Sequence, residues 1–407
     1  MWGDIAIAFL LAIVTSFVAT PYTIKLAKKV NAIDMPSDRR VNKKPIPRIG
    51  GIAIILGFLV SSIYLIITMS IEQKIDLEQS NYGMKLLGFL IGIIIIAISA
   101  LTDDIKDLKP WQKLIMQTIA ASIVYFFGIK IDVINNFEIP AIWSFLLTVG
   151  WIVGLTNAMN LIDGLDGLSS GISLISCLAL LIIFATNYSP AISIVLITAL
   201  AGGIIGFAPF NIYPAKTFMG DVGAQFLGFA LSIISILGVA KTVTLVVLIA
   251  PVLVLGLPIF DTLFAIFRRI KKGKSIKAIF KADRGHLHHR LMDAGFTQSQ
   301  SVTILYGASA AMGMLAIILI NEGVQKAVSF ALVLVVIIAI GYKGLKNYKN
   351  DLIEENIRLG IAEKKPDPED AEDSEEEKEE SKKKENKVSK GKKSKSKKTS
   401  KTKKKSK

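Results

Sequence analysis

The sequence predicts an all-α membrane protein that crosses the bilayer about eleven times. Three observations predict it. Hydrophobic residues make up 52% of 407 positions, and a mean hydropathy of +0.51 exceeds that of soluble domains. The apolar residues are gathered into continuous Ile/Leu/Val/Ala blocks, where a spanning β-barrel would alternate over ten-residue strands. Lysine and arginine are divided very unevenly between alternate loops, as positive-inside sorting requires.

In chain order the runs fall near 3–24, 50–70, 84–101, 113–129, 141–160, 168–186, 190–209, 222–240, 243–268, 301–320 and 326–343. The first has neither a basic leading region nor a small-residue cleavage site and continues through Pro21 and Tyr22, so it reads as a retained helix. The fourth is short, which leaves ten spans as the alternative count. Cys177, alone inside a span, excludes an intramolecular disulfide and reads as a small buried hydrophobe.

One set of loops carries Lys25, Lys28, Lys29, Arg39, Arg40, Lys43, Lys44, Arg48, Lys106, Lys109, Lys113, Lys216 and the cluster from Arg268 to Arg290. The other holds Lys74, Lys85, Lys130, Lys241 and Lys326. The richer set is therefore expected in the cytoplasm, with the N-terminus outside and, for an odd number of spans, the C-terminus inside.

Residues 1–345 form the expected transmembrane catalytic domain and 346–407 a charged, largely disordered cytoplasmic tail. Residues 363–380 are mostly acidic and 382–407 mostly lysine with serine and threonine, which explains much of the net charge of +15. A lysine block tethered to a membrane meets anionic lipids at about 1 kcal/mol per charge, so membrane lipids are the expected partner and nucleic acid is not.

Five polar clusters fall on the basic set of loops: DMPSDRRVNKKPIPRIGG (34–51), TDDIKDLKPWQK (102–113), NAMNLIDGLDG (157–167), FNIYPAKTFMGDVG (210–223) and KADRGHLHHRL (281–291). Their acids stand at span ends: Asp103 and Asp104 after the third, Asp163 and Asp166 after the fifth, Asp221 before the eighth. Carboxylates near the membrane need partners, and adjacent ones repel unless a cation joins them. Oxygen-only ligands suit Mg²⁺, with Mn²⁺ a substitute. Helix capping is the competing reading of any single Asp, Asp166 above all, but capping requires neither the Asp103–Asp104 pair nor a shared face.

Glycines in GLDGLSSG and FMGDVG allow close backbone approach at helix starts, and Phe218 is available to stack on a planar ring. The histidines, 286, 288 and 289, stand with Lys281, Arg284 and Arg290 in a basic cluster able to meet phosphate. Zinc is disfavoured because no Cys or Glu stands at ligand spacing. Asp283 and Gly295 look like the cap and stop of a short helix. Carboxylates that want Mg²⁺, beside Lys, Arg and His at the bilayer surface, suit a reaction between two phosphate-bearing substrates, one soluble and one a lipid.

These clusters, in this order, resemble the polyprenyl-phosphate N-acetylhexosamine-1-phosphate transferases across nearly all of 1–345. The resemblance implies transfer of a sugar 1-phosphate from a UDP-sugar to a polyprenyl phosphate, with release of UMP. It implies Asp221 and Asn160 as metal ligands, and a catalytic set of Asp103, Asp104, His286 and His288. It implies that Lys113 meets the lipid phosphate, and that Asp163, Asp166, Asn211 and Phe218 form the nucleotide pocket. Arg284, His286 and His288 would hold the sugar pyrophosphate, with Lys44, Arg48 and His289 completing the substrate contacts.

DRGHLHHRL is similar to the branch using UDP-N-acetylglucosamine and undecaprenyl phosphate, whose members begin teichoic acid or O-antigen assembly in the bacterial cytoplasmic membrane; another UDP-N-acetylhexosamine is the alternative donor. Asn42 departs from the pattern, which has histidine there. The family leaves room for a homodimer. A CDP-alcohol phosphotransferase would carry DGxxAR, but Asp163-Gly164 is followed by Leu165-Asp166. A transporter would hold charge at mid-span, where Asp261 is the candidate. A catalytically dead lipid-binding scaffold would not need Asp103, Asp104, Asp221 and HLHH together.

Overall fold

The computed structural model describes residues 2–36, 42, 44–73, 75, 78, 81–134, 137–187, 189–238, 245–273 and 285–337. The elements are α1 (Trp2–Lys29), β1 (Ile33–Asp34), β2 (Ile46–Pro47), α2 (Gly51–Ile71), α3 (Tyr82–Lys106), α4 (Pro110–Phe126), β3 (Val133–Ile134), β4 (Phe137–Glu138) and α5 (Ala141–Ile162). They continue with α6 (Leu168–Thr186), α7 (Ala191–Asn211), α8 (Gly220–Gly238), α9 (Leu245–Val254), α10 (Gly256–Gly273), α11 (Leu287–Asp293) and α12 (Gln298–Asn321), followed by an apolar helix α13 (Val324–Ile337). Helices α1 to α12 lie in the first of two compact units, Met1–Val333; the second is Leu334–Lys407.

Among the described residues, eight helices are long and apolar enough to cross a membrane: α1, α2, α3, α5, α6, α7, α8 and α12. The chain is an all-α, multi-span membrane protein. Three expected runs differ from those eight. The run near 113–129 is α4, whose 17 residues fall short of the roughly 20 that cross straight. The run at 326–343 is α13 as far as Ile337; positions 338–343 and the tail lie outside the described residues.

The run at 243–268 is broken at Leu255 into α9 and α10. Pro258 has no N–H to give the carbonyl of Val254 four residues back, and Ser176 Oγ donates to that carbonyl at 3.4 Å instead. α10 then turns Asp261 and Ala265 inward and leaves Phe260, Leu263, Phe264 and Phe267 exposed.

α7 and α8 form the centre, with 83% and 89% of their apolar segments buried against 28% for α1 and 22% for α12. α7 packs on α1, α2, α6 and α8, and α8 packs on α2, α3, α5, α6 and α7. Edge-on rings join α2 to α8 and α3: Phe58 lies 5.5 Å from Phe226 of α8 and 5.9 Å from Phe89 of α3. Such pairs add about 1 kcal/mol each beyond their burial.

β1 and β2 pair antiparallel, Ile33 opposite Pro47 and Asp34 opposite Ile46. This draws the excursion between α1 and α2 back onto the bundle and sets Asp34 near Arg48.

Candidate active site

Most of the predicted polar clusters meet at one end of the bundle, where α3, α5 and α7 finish and α2, α4, α6 and α8 start. A cleft of about 270 Å³ is lined there by Asp34, Asn42, Arg48, Asp104, Asp163, Gly164, Leu165, Asp166, Asn211, Phe218, Gly220, Asp221 and His289.

Asp103 and Asp104, each only 3% exposed, occupy the last turn of α3 and take different partners. Asp103 Oδ1 accepts from the amide of Leu108 at 2.7 Å, and its Oδ2 meets Lys113 Nζ. Asp104 accepts from the amides of Asp221 at 3.1 Å and Val222 at 3.0 Å. It therefore caps α8 from another helix, satisfying two N–H groups that have no partner within their own helix. The two carboxylates thus turn to different partners, Asp103 to Lys113 and Asp104 to the amides of α8, with Arg48 Nε 3.4 Å from its Oδ1.

Arg48 closes the end of α3. Its Nε and Nη2 donate to the carbonyl of Asp104 at 3.1 and 2.7 Å, Nη2 reaches Asp107 Oδ1 at 3.3 Å, and Nη1 lies 3.8 Å from Asp34 Oδ1. A cation at a helix C-terminus meets its partial negative charge. Lys113, in the first turn of α4, donates from Nζ to Asp221 Oδ2 at 2.8 Å while touching Asp103.

The stretch before α8 is held by backbone bonds to β2 and the residues after it. Phe218 N donates to the carbonyl of Pro47 at 2.8 Å, Gly50 N to that of Phe218 at 3.0 Å, and Gly51 N to that of Met219 at 2.9 Å. Asn211 donates to the carbonyl of Thr217 at 3.1 Å and accepts from Ser170 Oγ at 2.8 Å. Gly220 has φ +70°, and a Cβ there would strike the Arg48 carbonyl and the Asp104 carboxylate. Glycine is thus required for Asp104 to cap α8.

Asp166 does not cap the following helix. Its Oδ2 accepts from Ala215 N at 2.9 Å, and Gly167 takes the cap position of α6, its carbonyl accepting from Tyr306 Oη at 2.5 Å. Gly164 is small because the ring of His288 occupies the place of a Cβ. Asp163 faces the cleft, and burial with Asp221, Asp166 and Asp34 nearby pushes its carboxyl up to about 8.

The histidines divide. His289 lines the cleft. His286 is buried, its Nδ1 at 2.8 Å from Asp261 Oδ2, while Leu287 N donates to Asp261 Oδ1 at 2.9 Å. His288, 2% exposed, lies against Gly164, and burial beside His289 and His286 pushes its imidazole down to about 3. His286 takes the N-cap position of α11 without a side-chain capping bond, and Gly295, with φ +97°, stops the helix as expected. The amides of Gly295 and Phe296 return to the carbonyls of Met292 at 2.9 Å and Leu291 at 3.2 Å.

Of the residues singled out from sequence, Arg48, Asp104, Asp163, Asp166, Asn211, Phe218, Asp221 and His289 line the cleft. Asp103 and Lys113 join through Asp221, and His286 and His288 stand behind His289. Asn160, half-buried one turn before Asp163, and Lys44, exposed, do not line it. Arg284 and Asp283 lie outside the described residues. Asn42 does line it, donating Nδ2 to the carbonyls of Asp34 at 3.2 Å and Lys44 at 3.1 Å.

Asp34 and Asp261 complete the arrangement and were not among the site candidates. Asp34 stood inside a polar cluster without a reason to prefer it. Asp261 looked like mid-span charge suited to a transporter, yet it is the anchor of the histidine segment. No group of three or more His, Cys, Asp or Glu side chains is arranged for a metal among the described residues.

Residues 86–239 match the profile of glycosyl transferase family 4. The probable undecaprenyl-phosphate N-acetylglucosaminyl 1-phosphate transferase of Bacillus subtilis is 35% identical over 347 residues, covering 83% of this chain and 90% of that protein. The decaprenyl-phosphate N-acetylglucosaminephosphotransferase of Mycobacterium leprae is 31% identical, covering 74% and 80%. The phospho-N-acetylmuramoyl-pentapeptide-transferase of Halalkalibacterium halodurans is 31% identical, covering 77% and 95%.

Proposed function

Because the chain belongs to glycosyl transferase family 4 and is a glycosyl-1-phosphate transferase, we propose that it transfers N-acetylglucosamine 1-phosphate from UDP-N-acetylglucosamine to undecaprenyl phosphate. UMP is released, and the product starts a cell-envelope glycopolymer such as teichoic acid or O antigen. A phosphate oxygen of the lipid attacks the β-phosphorus of the nucleotide sugar, and the bond from that phosphorus to the bridging oxygen breaks, leaving UMP. The observation that carries this reading is Lys113 held between Asp103 and Asp221, the second of which lines an acidic cleft: an ammonium group beside carboxylates, where phosphates would need both a metal and an ammonium group.

The donor set fits Mg²⁺. Asp163 has no hydrogen-bond partner for its carboxylate among the described residues, and five carboxylates, Asp34, Asp104, Asp163, Asp166 and Asp221, line one cleft. Asp221 and Asp163 would hold the ion, with Asn160 one turn away. When bound, Mg²⁺ or Mn²⁺ neutralises diphosphate charge.

The chain's own groups do the rest. Lys113 attracts the lipid phosphate, Phe218 offers a face to the uracil, Asn211 and Asp166 shape the nucleotide end, and His289 and Arg284 meet the sugar pyrophosphate. A phosphate monoester with a second pKa of about 6 is largely dianionic at neutral pH. Asp103 and Asp104 therefore need not remove a proton. Their carboxylates hold Lys113 and the start of α8, which is a positioning role.

The same reading carries eleven spans with the N-terminus outside, the C-terminus inside, the cleft facing the cytoplasm of a bacterium, a catalytic domain over 1–345 and a lipid-binding tail over 346–407. Loop charge supports it.

Purified protein given undecaprenyl phosphate and UDP-N-acetylglucosamine should release UMP with Mg²⁺ and none after EDTA, with other UDP-N-acetylhexosamines turned over more slowly. Absence of UMP with every nucleotide sugar would overturn the assignment.

A further inference from the structure

One helical turn from the contact between Lys113 and Asp221, a row of amides crosses the bundle. Gln117 follows Lys113 by four residues on α4, and Gln225 follows Asp221 by four on α8, so each glutamine shares a helix face with its charged neighbour. Asn157 Nδ2 donates to Gln117 Oε1 at 2.6 Å and to the Val153 carbonyl at 2.8 Å. Gln117 Nε2 donates to Gln225 Oε1 at 3.0 Å. Both glutamines are 1% exposed.

The direction of the row is forced. A backbone carbonyl only accepts, so Asn157 must turn its NH₂ toward Val153 and Gln117. Gln117 then presents its oxygen to Asn157 and its nitrogen to Gln225, and Gln225 Nε2 ends the row buried without a hydrogen-bond partner among the described residues. Burying such a donor is unfavourable, and apolar side chains would fill the space without that penalty.

What the amides add is register. α4 packs on α3 and α5, and α8 packs on the same two helices. Apolar faces tolerate small rotations and slips, whereas a buried polar rung fixes one alignment. The rung lies between the two helices that carry Lys113 and Asp221.

We infer that Gln117 and Gln225 are positioning residues, which fix the rotation of α4 against α8 and so hold Lys113 Nζ on Asp221 at the reacting phosphates. The catalytic consequence rests on the function proposed above; the positioning itself does not.

Two readouts separate them, both on the full-length protein in nanodiscs containing undecaprenyl phosphate. The first is acetylation of Lys113 by a water-soluble amine reagent, followed by mass spectrometry, which needs no turnover. Gln117→Met and Gln225→Met, close in shape to glutamine, should each raise the labelling rate about fivefold, and the double variant should label no faster than either. Gln225→Glu keeps an accepting oxygen in either protonation state and should return labelling to the wild-type rate.

The second readout is UMP release, where each Met variant should lower kcat about tenfold with KM for UDP-N-acetylglucosamine within about twofold. Unchanged Lys113 labelling in both Met variants, effects that multiply in the double variant, or kcat within about twofold of an active wild type would overturn the inference. A wild type that releases no UMP would count against the proposed function alone, leaving the labelling to decide the positioning.

Discussion

Lys113 Nζ lies 2.8 Å from Asp221 Oδ2, across 108 residues of sequence. The same ammonium group touches Asp103, so one cation compensates two carboxylates from two other helices. Replacing it with Met leaves both acids without that partner at the edge of the proposed phosphate site. Lys113→Met should lower kcat/KM for UMP release by about 100-fold or more. A loss under about fivefold, measured on folded protein, would remove Lys113 from the phosphate contacts.

Gly220→Ala tests the link between backbone and site. The methyl group would meet the Arg48 carbonyl and the Asp104 carboxylate, and alanine resists φ +70°. We expect about 1–3 kcal/mol of destabilisation. Thermal unfolding in detergent should show it together with weakened activity, because the shift falls on the amides that Asp104 holds.

Asp261 reaches the cleft only through the histidine segment. Asp261→Asn can still accept from Leu287 N but no longer offers His286 a charged partner. The short helix that carries His289 should loosen. KM for the nucleotide sugar should rise about tenfold while kcat changes less. Equal falls in kcat with KM unchanged would point instead to a group acting on the reacting atoms.

His288 makes the fold acid-sensitive. Its imidazole is held down at about 3 against an ordinary 6.5, by burial and by His289 and His286, so it stays neutral in the folded chain while the unfolded chain protonates it first. Between those values the unfolded state binds more protons. This contribution is therefore present above about pH 6.5 and lost as pH falls toward about 3, by at most about 1.4 kcal/mol per pH unit. His288→Gln should flatten unfolding temperature against pH in that window; an unchanged slope would show that other groups set it.

Much of the bundle was legible because crossing a bilayer imposes length and composition on each segment separately. α2, α3, α5, α6, α7 and α8 all start and stop within a few residues of their apolar runs. The run from 243 to 268 divides for a local reason: composition does not register the missing amide of Pro258, and that break sets α10 apart from α9. α4 was the run whose length left the count open.

The chemistry was legible as residue types on alternate loops. Asp103, Asp104, Asp163, Asp166 and Asp221 stood out because carboxylates at span ends are costly and therefore need partners. Their partners did not stand out. Capping was the ordinary reading for any of them, and it holds for Asp104, but on a helix that begins 116 positions later and so beyond any local pattern. For Asp166 capping fails, since the acceptor serves Ala215 instead.

By itself the sequence determined an all-helical membrane protein with phosphate chemistry gathered at helix ends, because hydropathy and the penalty on charge in lipid act residue by residue. Tertiary structure decided which groups face one another: Lys113 between two acids, Asp104 on the amides of α8, Asp261 beneath His286 and His289 at the cleft. Those pairings depend on how helices far apart in the chain rotate and stack, and only the packed bundle fixes that rotation.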